Sequence, residues 1–182
     1  MFLSERLGDI KKQGNIILNS RFLKNLTVLE RTEFLQYCHR RNYKKEEYIY
    51  YQGDPGTGMY FIEDGKVELV LEGESDQQTH HSYIISAPES FGALSIGYEI
   101  RRISNVRCLT DCTLLGFFKP DFETLKKRHP VIAVKFMETL AVVAMKQLEI
   151  VTNELKKQVG AKHALSLQFE LYMNPNNNDE LL

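Results

Sequence analysis

The stretch Gly53-Asp54-Pro55-Gly56-Thr57-Gly58-Met59-Tyr60-Phe61-Ile62-Glu63-Asp64-Gly65-Lys66-Val67-Glu68-Leu69 decides the fold. Gln52-Gly53-Asp54-Pro55-Gly56 is a turn, because proline presets its φ and glycine enters conformations closed to other residues. Met59-Tyr60-Phe61-Ile62 then reads as a short strand. Glu63-Asp64-Gly65-Lys66 reads as a tight hairpin turn, Asp-Gly being a favoured pair where φ must be positive. Val67, Leu69 and Leu71 alternate with Glu68, Val70 and Glu72, the pattern of a strand with one face inward and the other largely outward.

The same texture continues on both sides. Tyr48, Ile49, Tyr50 and Tyr51 are strand formers, and their strand and core roles outweigh base stacking. Gly73 to His81 is polar and reads as a hairpin loop, followed by a strand at Tyr83-Ile84-Ile85. Two more strands fall at Asn105 to Cys108 and Cys112 to Phe118. Many short strands with frequent turn signals predict an all-β roll or sandwich.

Helices flank it. Phe22, Leu23, Leu26, Leu29, Phe34, Leu35 and Cys38 recur at roughly the spacing of one buried stripe, so residues 1–40 read as helical. Thr27 and Glu30 form a capping-box pattern. Pro120-Asp121-Phe122 opens another helix, and His129-Pro130 marks a break and a new start. The helix over 131–160 is apolar nearly all round from Val131 to Ala144, as expected of one buried on two sides. Met137, Ala141, Ala144, Leu148, Val151 and Leu155 form an a/d heptad seam on one side, a coiled-coil signature. Phe136, Leu140, Val143 and Ile150 are offered to the roll on the other, and Gly160 ends the helix. In the tail, 161–182, Leu165, Leu167, Phe169 and Leu171 alternate with polar neighbours. This is strand periodicity, with a short helix as the equal alternative, and a strand there would need a pairing partner. Asn174 to Leu182 is Asn-rich with no buried pattern and is expected to be disordered.

Bulk properties narrow the function classes. The 182 residues carry a formal net charge of -1, which gives no global pull toward nucleic acid or anionic lipid. Arg40, Arg41, Lys44 and Lys45 cluster, but Glu46 and Glu47 follow at once, so a solvated surface is expected there. No apolar run is long enough to span a bilayer, and the first ten residues lack a secretory signal pattern. Cys38, Cys108 and Cys112 are odd in number and fit no zinc spacing. They read as reduced thiols in a cytoplasm, with Cys108 and Cys112 in the core. His80-His81 lacks a third ligand at a fitting spacing, so no metal site is expected. Glu63 and Asp64 shape a turn rather than pair as catalytic acids. Thr152 and Asn153 read as surface positions on the long helix. No nucleophile elbow, HExxH, P-loop or phosphoryl-transfer set is present, so the chain is not expected to be an enzyme and has no catalytic residues.

The chemistry lies in Ser90-Phe91-Gly92-Ala93-Leu94-Ser95-Ile96-Gly97-Tyr98-Glu99-Ile100-Arg101-Arg102-Ile103-Ser104, within the cassette 90–108. Phe-Gly makes a tight turn out of a strand. A short helical turn follows, with free amides at Ala93, Leu94 and Ser95 directed at one spot, which favours an anion. Arg102 comes ten residues after Gly92, a loop length that can fold its guanidinium back to the same spot. Amides on one side and a guanidinium on the other make a phosphate cradle.

From Arg40 to Val151 the chain resembles a cyclic-nucleotide-binding domain, the module of catabolite activator proteins, cyclic-nucleotide-dependent kinase regulatory subunits and gated channels. Two patterns carry the resemblance: the glycine-punctuated stretch 53–69 and the cassette with its Phe-Gly turn and Arg102. It implies a mainly β fold with flanking helices. That fold is an antiparallel β-roll of the jelly-roll, cupin-like kind over 41–130, with N-terminal helices and a long C-terminal dimerisation helix. It also implies a cyclic phosphate bound by Phe91, Gly92, Ala93, Leu94, Ser95, Arg102, Ile103 and Ser104, with cyclic AMP expected before cyclic GMP. One departure stands out. The family's glutamate, which accepts from the ribose 2′-hydroxyl, falls on Ala93, and Arg101 stands where proline is often found. Glu99 is a candidate to compensate, although a solvated loop charge or an arginine partner is the plainer role. The expected function is a non-enzymatic signalling module, homodimeric through the long helix and acting on another signalling protein. It would not touch DNA directly, because the two dozen residues after the long helix are too few for a winged helix-turn-helix. The alternative is a degenerate member that serves as a dimeric scaffold and binds no nucleotide.

Overall fold

A computed structural model describes residues 16, 19–71 and 81–173. The expectations for most of the segment before residue 19, for the loop at 73–80, for the side chains of His80 and His81 and for the tail from Asn174 lie outside the described residues. The chain divides into two compact units, residues 1–140 and 141–182.

The first unit holds two antiparallel sheets of four strands. One has the order β1 (His39–Tyr43), β8 (Cys112–Phe118), β3 (Gly58–Asp64), β6 (Ser90–Phe91). The other has the order β2 (Tyr48–Tyr50), β7 (Asn105–Cys108), β4 (Lys66–Leu71), β5 (His81–Ser86). Around them lie α1 (Val28–Leu35), α2 (Leu94–Gly97), α3 (Lys119–Arg128) and the start of α4 (Pro130–Val159). The β-roll with flanking helices and a long C-terminal helix is therefore present.

Strands β3 and β8 explain why the chain reads as strongly apolar there. Successive side chains point to opposite faces, and both faces are buried. Tyr60, Ile62, Cys112 and Leu114 pack toward Val67, Val106 and Cys108 of the second sheet. Met59, Phe61, Leu115 and Phe117 pack toward the helices. On that outer side Phe34 of α1 lies 4.5 Å from Phe117 and 5.6 Å from Phe136 of α4, ring centroid to centroid. Each such phenylalanine contributes roughly 2–3 kcal/mol of burial.

Several expectations are corrected. The turn at Gly65 is not a hairpin. It passes the chain from one sheet to the other, because β3 pairs with β6 and β8 while β4 pairs with β5 and β7. Gly65 has φ +98°, and a Cβ there would lie 2.6 Å from the Asp111 carbonyl oxygen and the Cys112 Sγ. The turn between β7 and β8 crosses between sheets at the same corner, with the Leu109 N–H donating to the Lys66 carbonyl at 2.9 Å. Arg40 is not a free surface cation: its Nε and Nη2 donate to the buried Glu63 carboxylate at 2.9 and 3.3 Å. Residues 21–26 are turns rather than helix, with i→i−3 bonds from Leu23 and Leu26. Leu29 is exposed, because the helix begins only after Thr27. Tyr48 and Tyr51 are exposed and stacked on each other at 4.8 Å, so neither is a core residue.

In the second unit α4 continues to Val159, Gly160 takes φ +84°, and α5 (Ala161–Met173) follows. The strand reading of the tail is thus corrected to helix. The segment holds no β-branched residue, and Ala, Leu, Lys, Gln, Glu and Met are good helix formers, so propensity overrides the alternation. Thr152 is buried, not a surface position, while Asn153 is exposed. On the side expected to face the roll Phe136 and Leu140 are buried and Val143 is half-buried, whereas Ile150 is 68% exposed; Val131 and Val134 are also exposed on the single chain.

The capping box at α1 is built as the spacing predicts. The Glu30 N–H donates to Thr27 Oγ1 at 3.3 Å and the Thr27 N–H donates to Glu30 Oε2 at 2.8 Å. Lys135 Nζ of α4 adds bonds of 2.6 and 2.8 Å to the same carboxylate, and these hold it below the usual carboxylate range. A lowered folded-state value makes Glu30 stabilising above about pH 4.5, and the contribution is lost as pH falls through the folded value. Glu30→Gln keeps the cap and removes the charge. Denaturant titration is expected to show a loss of roughly 1 kcal/mol at neutral pH, shrinking toward zero under acid conditions.

Candidate functional site

The two patterns singled out in the sequence are bonded to each other. The Gly53 N–H donates to the Arg102 carbonyl at 2.8 Å, and the Arg102 N–H donates to the Asp54 carbonyl at 2.9 Å. The Gly56 N–H donates to the Ile100 carbonyl at 3.0 Å, and Arg101 Nη1 donates to the Gly53 carbonyl at 2.8 Å. The Gln52 N–H donates to the buried Asn105 Oδ1 at 2.7 Å. The approach is so close that a Cβ on Gly56 would fall 2.4 Å from Ser95 Oγ. Sequence spacing gave each half separately; nothing in it announced this mutual stitching.

Arg102 is the centre of the arrangement. Only 7% of the residue is exposed. Its Nη2 donates to the Gly58 carbonyl at 2.7 Å, its Nη1 to Ser95 Oγ at 2.9 Å and, at 3.5 Å, to the Gly92 carbonyl. Its Cζ lies 4.1 Å from the centroid of the Tyr50 ring. The Nε is buried and has no hydrogen-bond partner among the described residues. Among the described residues no carboxylate pairs with Arg102. A buried cation is costly unless compensated, and here the compensation comes from neutral groups: a carbonyl, a hydroxyl and an aromatic face.

Gly92 supplies the turn. Its φ is +78°, and a Cβ there would lie 2.6 Å from Arg102 Nη1. Phe91 is buried just before it, stacked on Tyr60 at 5.4 Å. Ala93 caps the short helix α2 with φ −60° and ψ −37° and offers no side-chain hydrogen bond. The amide expectation is corrected in part, because the Ser95 N–H is taken by the Gly92 carbonyl at 3.3 Å. Ser95 and Ser104 are buried, Leu94 is half-buried, and Ile103 is 73% exposed. Glu99 does not compensate for Ala93: its side chain is 95% exposed and pairs with Lys119 at 3.6 Å. Sequence reasoning missed Tyr50 and Gly58 as neighbours of Arg102, since contacts across strands leave no local signal.

The heptad residues Leu148 and Val151 are exposed, as are Met137 and Ala141, while Ala144 and Leu155 are half-buried. Met145, Leu148, Glu149, Thr152, Asn153 and Lys156 line an open groove of about 420 Å³ on this helix. No helix among the described residues is long and apolar enough to cross a membrane.

Comparison with known proteins gives a consistent picture. The family profile described as "Cyclic nucleotide-binding domain" matches residues 40–129. The chain is 32% identical over 107 residues to the cyclic AMP receptor protein of Thermus thermophilus, covering 59% of this chain and 49% of that one. It is 28% identical over 128 residues to a cGMP-dependent protein kinase, isozyme 2, of Drosophila melanogaster, covering 70% of this chain and 11% of the kinase. The chain thus spans between about a tenth and about half the length of these relatives. The crystal structure of the Thermus thermophilus catabolite activator protein superposes with a TM-score of 0.66 at 28% identity, covering 75% of this chain and 62% of that one.

Replacing Gly92 tests the cradle's geometry. Gly92→Ala forces a side chain into left-handed backbone and against Arg102, and should cost about 1–2 kcal/mol. A melting temperature equal to the parent's would mean the turn is not built as described.

Proposed function

We propose that this chain, which belongs through residues 40–129 to the cyclic nucleotide-binding domain family, is a non-enzymatic signalling module that binds a cyclic nucleotide and answers through protein contact. The cyclic phosphate would sit between the guanidinium of Arg102 and the amides of the turn from Gly92 to Leu94, with Phe91, Ser95, Ile103 and Ser104 around it. The observation that carries this reading is the buried Arg102, which among the described residues has no carboxylate partner and no hydrogen-bond partner for its Nε. Cyclic AMP is favoured over cyclic GMP because the relative at 32% identity is a cyclic AMP receptor protein, whereas the kinase named for cGMP stands at 28%. Ligand charge would draw the cassette inward and reposition α4. The heptad seam from Met137 to Leu155 would pair with a second copy, and a further signalling protein would read the change. A cytoplasmic setting suits the three free thiols.

Ala93 favours a second reading, a dimeric scaffold that binds no nucleotide. Its methyl cannot accept a hydrogen bond, and a bond to a charged acceptor is worth about 1.5–3 kcal/mol, which is roughly ten- to a hundredfold in affinity.

Calorimetry with cyclic AMP and cyclic GMP separates the two. Binding is expected in the parent, lost in Arg102→Ala and strengthened roughly tenfold or more in Ala93→Glu. The right-handed backbone at residue 93 accepts a glutamate without strain. No heat with either nucleotide, and no gain in Ala93→Glu, would leave the scaffold reading.

A further inference from the structure

Arg102 is braced by groups that carry no net charge. Nη2 on the Gly58 carbonyl and Nη1 on Ser95 Oγ fix the guanidinium within its own plane. The plane itself is set by Tyr50 of β2, whose ring centroid lies 4.1 Å from Cζ. Tyr50 is in turn supported: Phe91 lies 6.1 Å away and Tyr60 6.4 Å away, and those two rings stack on each other at 5.4 Å. A guanidinium over an aromatic face is attracted by the ring quadrupole, more strongly where water is excluded. Burial pushes the Tyr50 hydroxyl up to about 12, with the charge of Arg102 opposing only in part. The ring is therefore a neutral phenol at neutral pH and not a phenolate counter-ion. A carboxylate in its place would neutralise Arg102 and compete with an incoming anion; an aromatic face does neither.

We infer that Tyr50 is a positioning residue for Arg102, its ring standing where a counter-ion would otherwise stand, so that the guanidinium is oriented in the free protein with its positive charge uncancelled. The ligand-binding part of this inference rests on the phosphate role given to Arg102 above; the orientation part does not.

Tyr50→Phe and Tyr50→Leu test it with two readouts. The first is the Nε–H resonance of Arg102 in a nitrogen–proton correlation spectrum of the ligand-free chain, assigned by its loss in Arg102→Ala. Its nitrogen–proton NOE should report a rigid side chain in the parent and in Tyr50→Phe, and fall to that of the exposed arginines in Tyr50→Leu. The second is calorimetry with cyclic AMP: Tyr50→Phe within about twofold of the parent, Tyr50→Leu weaker by about three- to thirtyfold. Tyr50→Met, also without a ring, replaces Tyr50→Leu if that variant fails to fold. Unchanged rigidity of the Arg102 side chain and unchanged affinity in the ringless variant overturn the inference, as does an equal loss in Tyr50→Phe. If the parent binds no cyclic nucleotide, the proposed function fails, and the resonance alone then decides the role of Tyr50.

Discussion

Burial of one guanidinium with no carboxylate partner among the described residues is the constraint around which the rest of the site is arranged. Removing an arginine from water costs several kcal/mol even after relaxation. The chain meets that cost with a carbonyl from β3, a hydroxyl from α2 and an aromatic face from β2. Those three elements belong to both sheets and to the cassette, so Arg102 is where they meet. The requirement explains why small residues cluster there. Gly92 has no room for a side chain beside Nη1, and Gly56 has none beside Ser95.

The crossing at Gly65 places this arrangement in the roll. A flat hairpin would leave 53–69 in one sheet. Because the chain changes sheets at a residue with φ +98°, β3 and β4 face each other across the inner core, and the turn at 53–56 comes to lie against the cassette. Sheet switching at a corner is commonly accompanied by a bulge, and the β3–β8 register shifts between Ile62 and Asp64. The ion pair of the buried Glu63 with the half-buried Arg40 sits at this same end of β3.

What could be read from the sequence follows from how local each signal is. The strands at 59–62 and 112–118 were legible because both of their faces are apolar, and the cap at Thr27 because its two partners are three residues apart. Strand β1 was not. His39, Arg40, Arg41 and Asn42 carry no strand pattern, and they pair with β8 only because that strand's edge needs partners for its backbone groups. The Asp-Gly pair at 64–65 signals positive φ but not which strands it joins. The tail's alternation was real in sequence, yet it did not outweigh helix-forming residues. In the site, the Gly92–Arg102 spacing was legible, whereas Tyr50 and Gly58, some fifty residues away in sequence, entered through the pairing of β2 with β7 and of β3 with β6.

The cassette also touches the first turns of the long helix. A Cβ on Gly97 would lie 2.8 Å from Leu140 Cδ2 and 3.5 Å from Met137 Cε, so α2 rests directly on that surface with no slack for a larger residue. Close-packed contacts of this kind transmit displacement rather than absorb it, since interiors have low compressibility. Arg102 holds one end of α2 through Ser95, and Leu140 meets the other through Gly97. Any event that pulls on the guanidinium therefore acts on a four-residue helix gripped at both ends. The Ala93 methyl forms neither of those two contacts, so the link from Arg102 through Ser95 and Gly97 to Leu140 does not depend on the residue at that position.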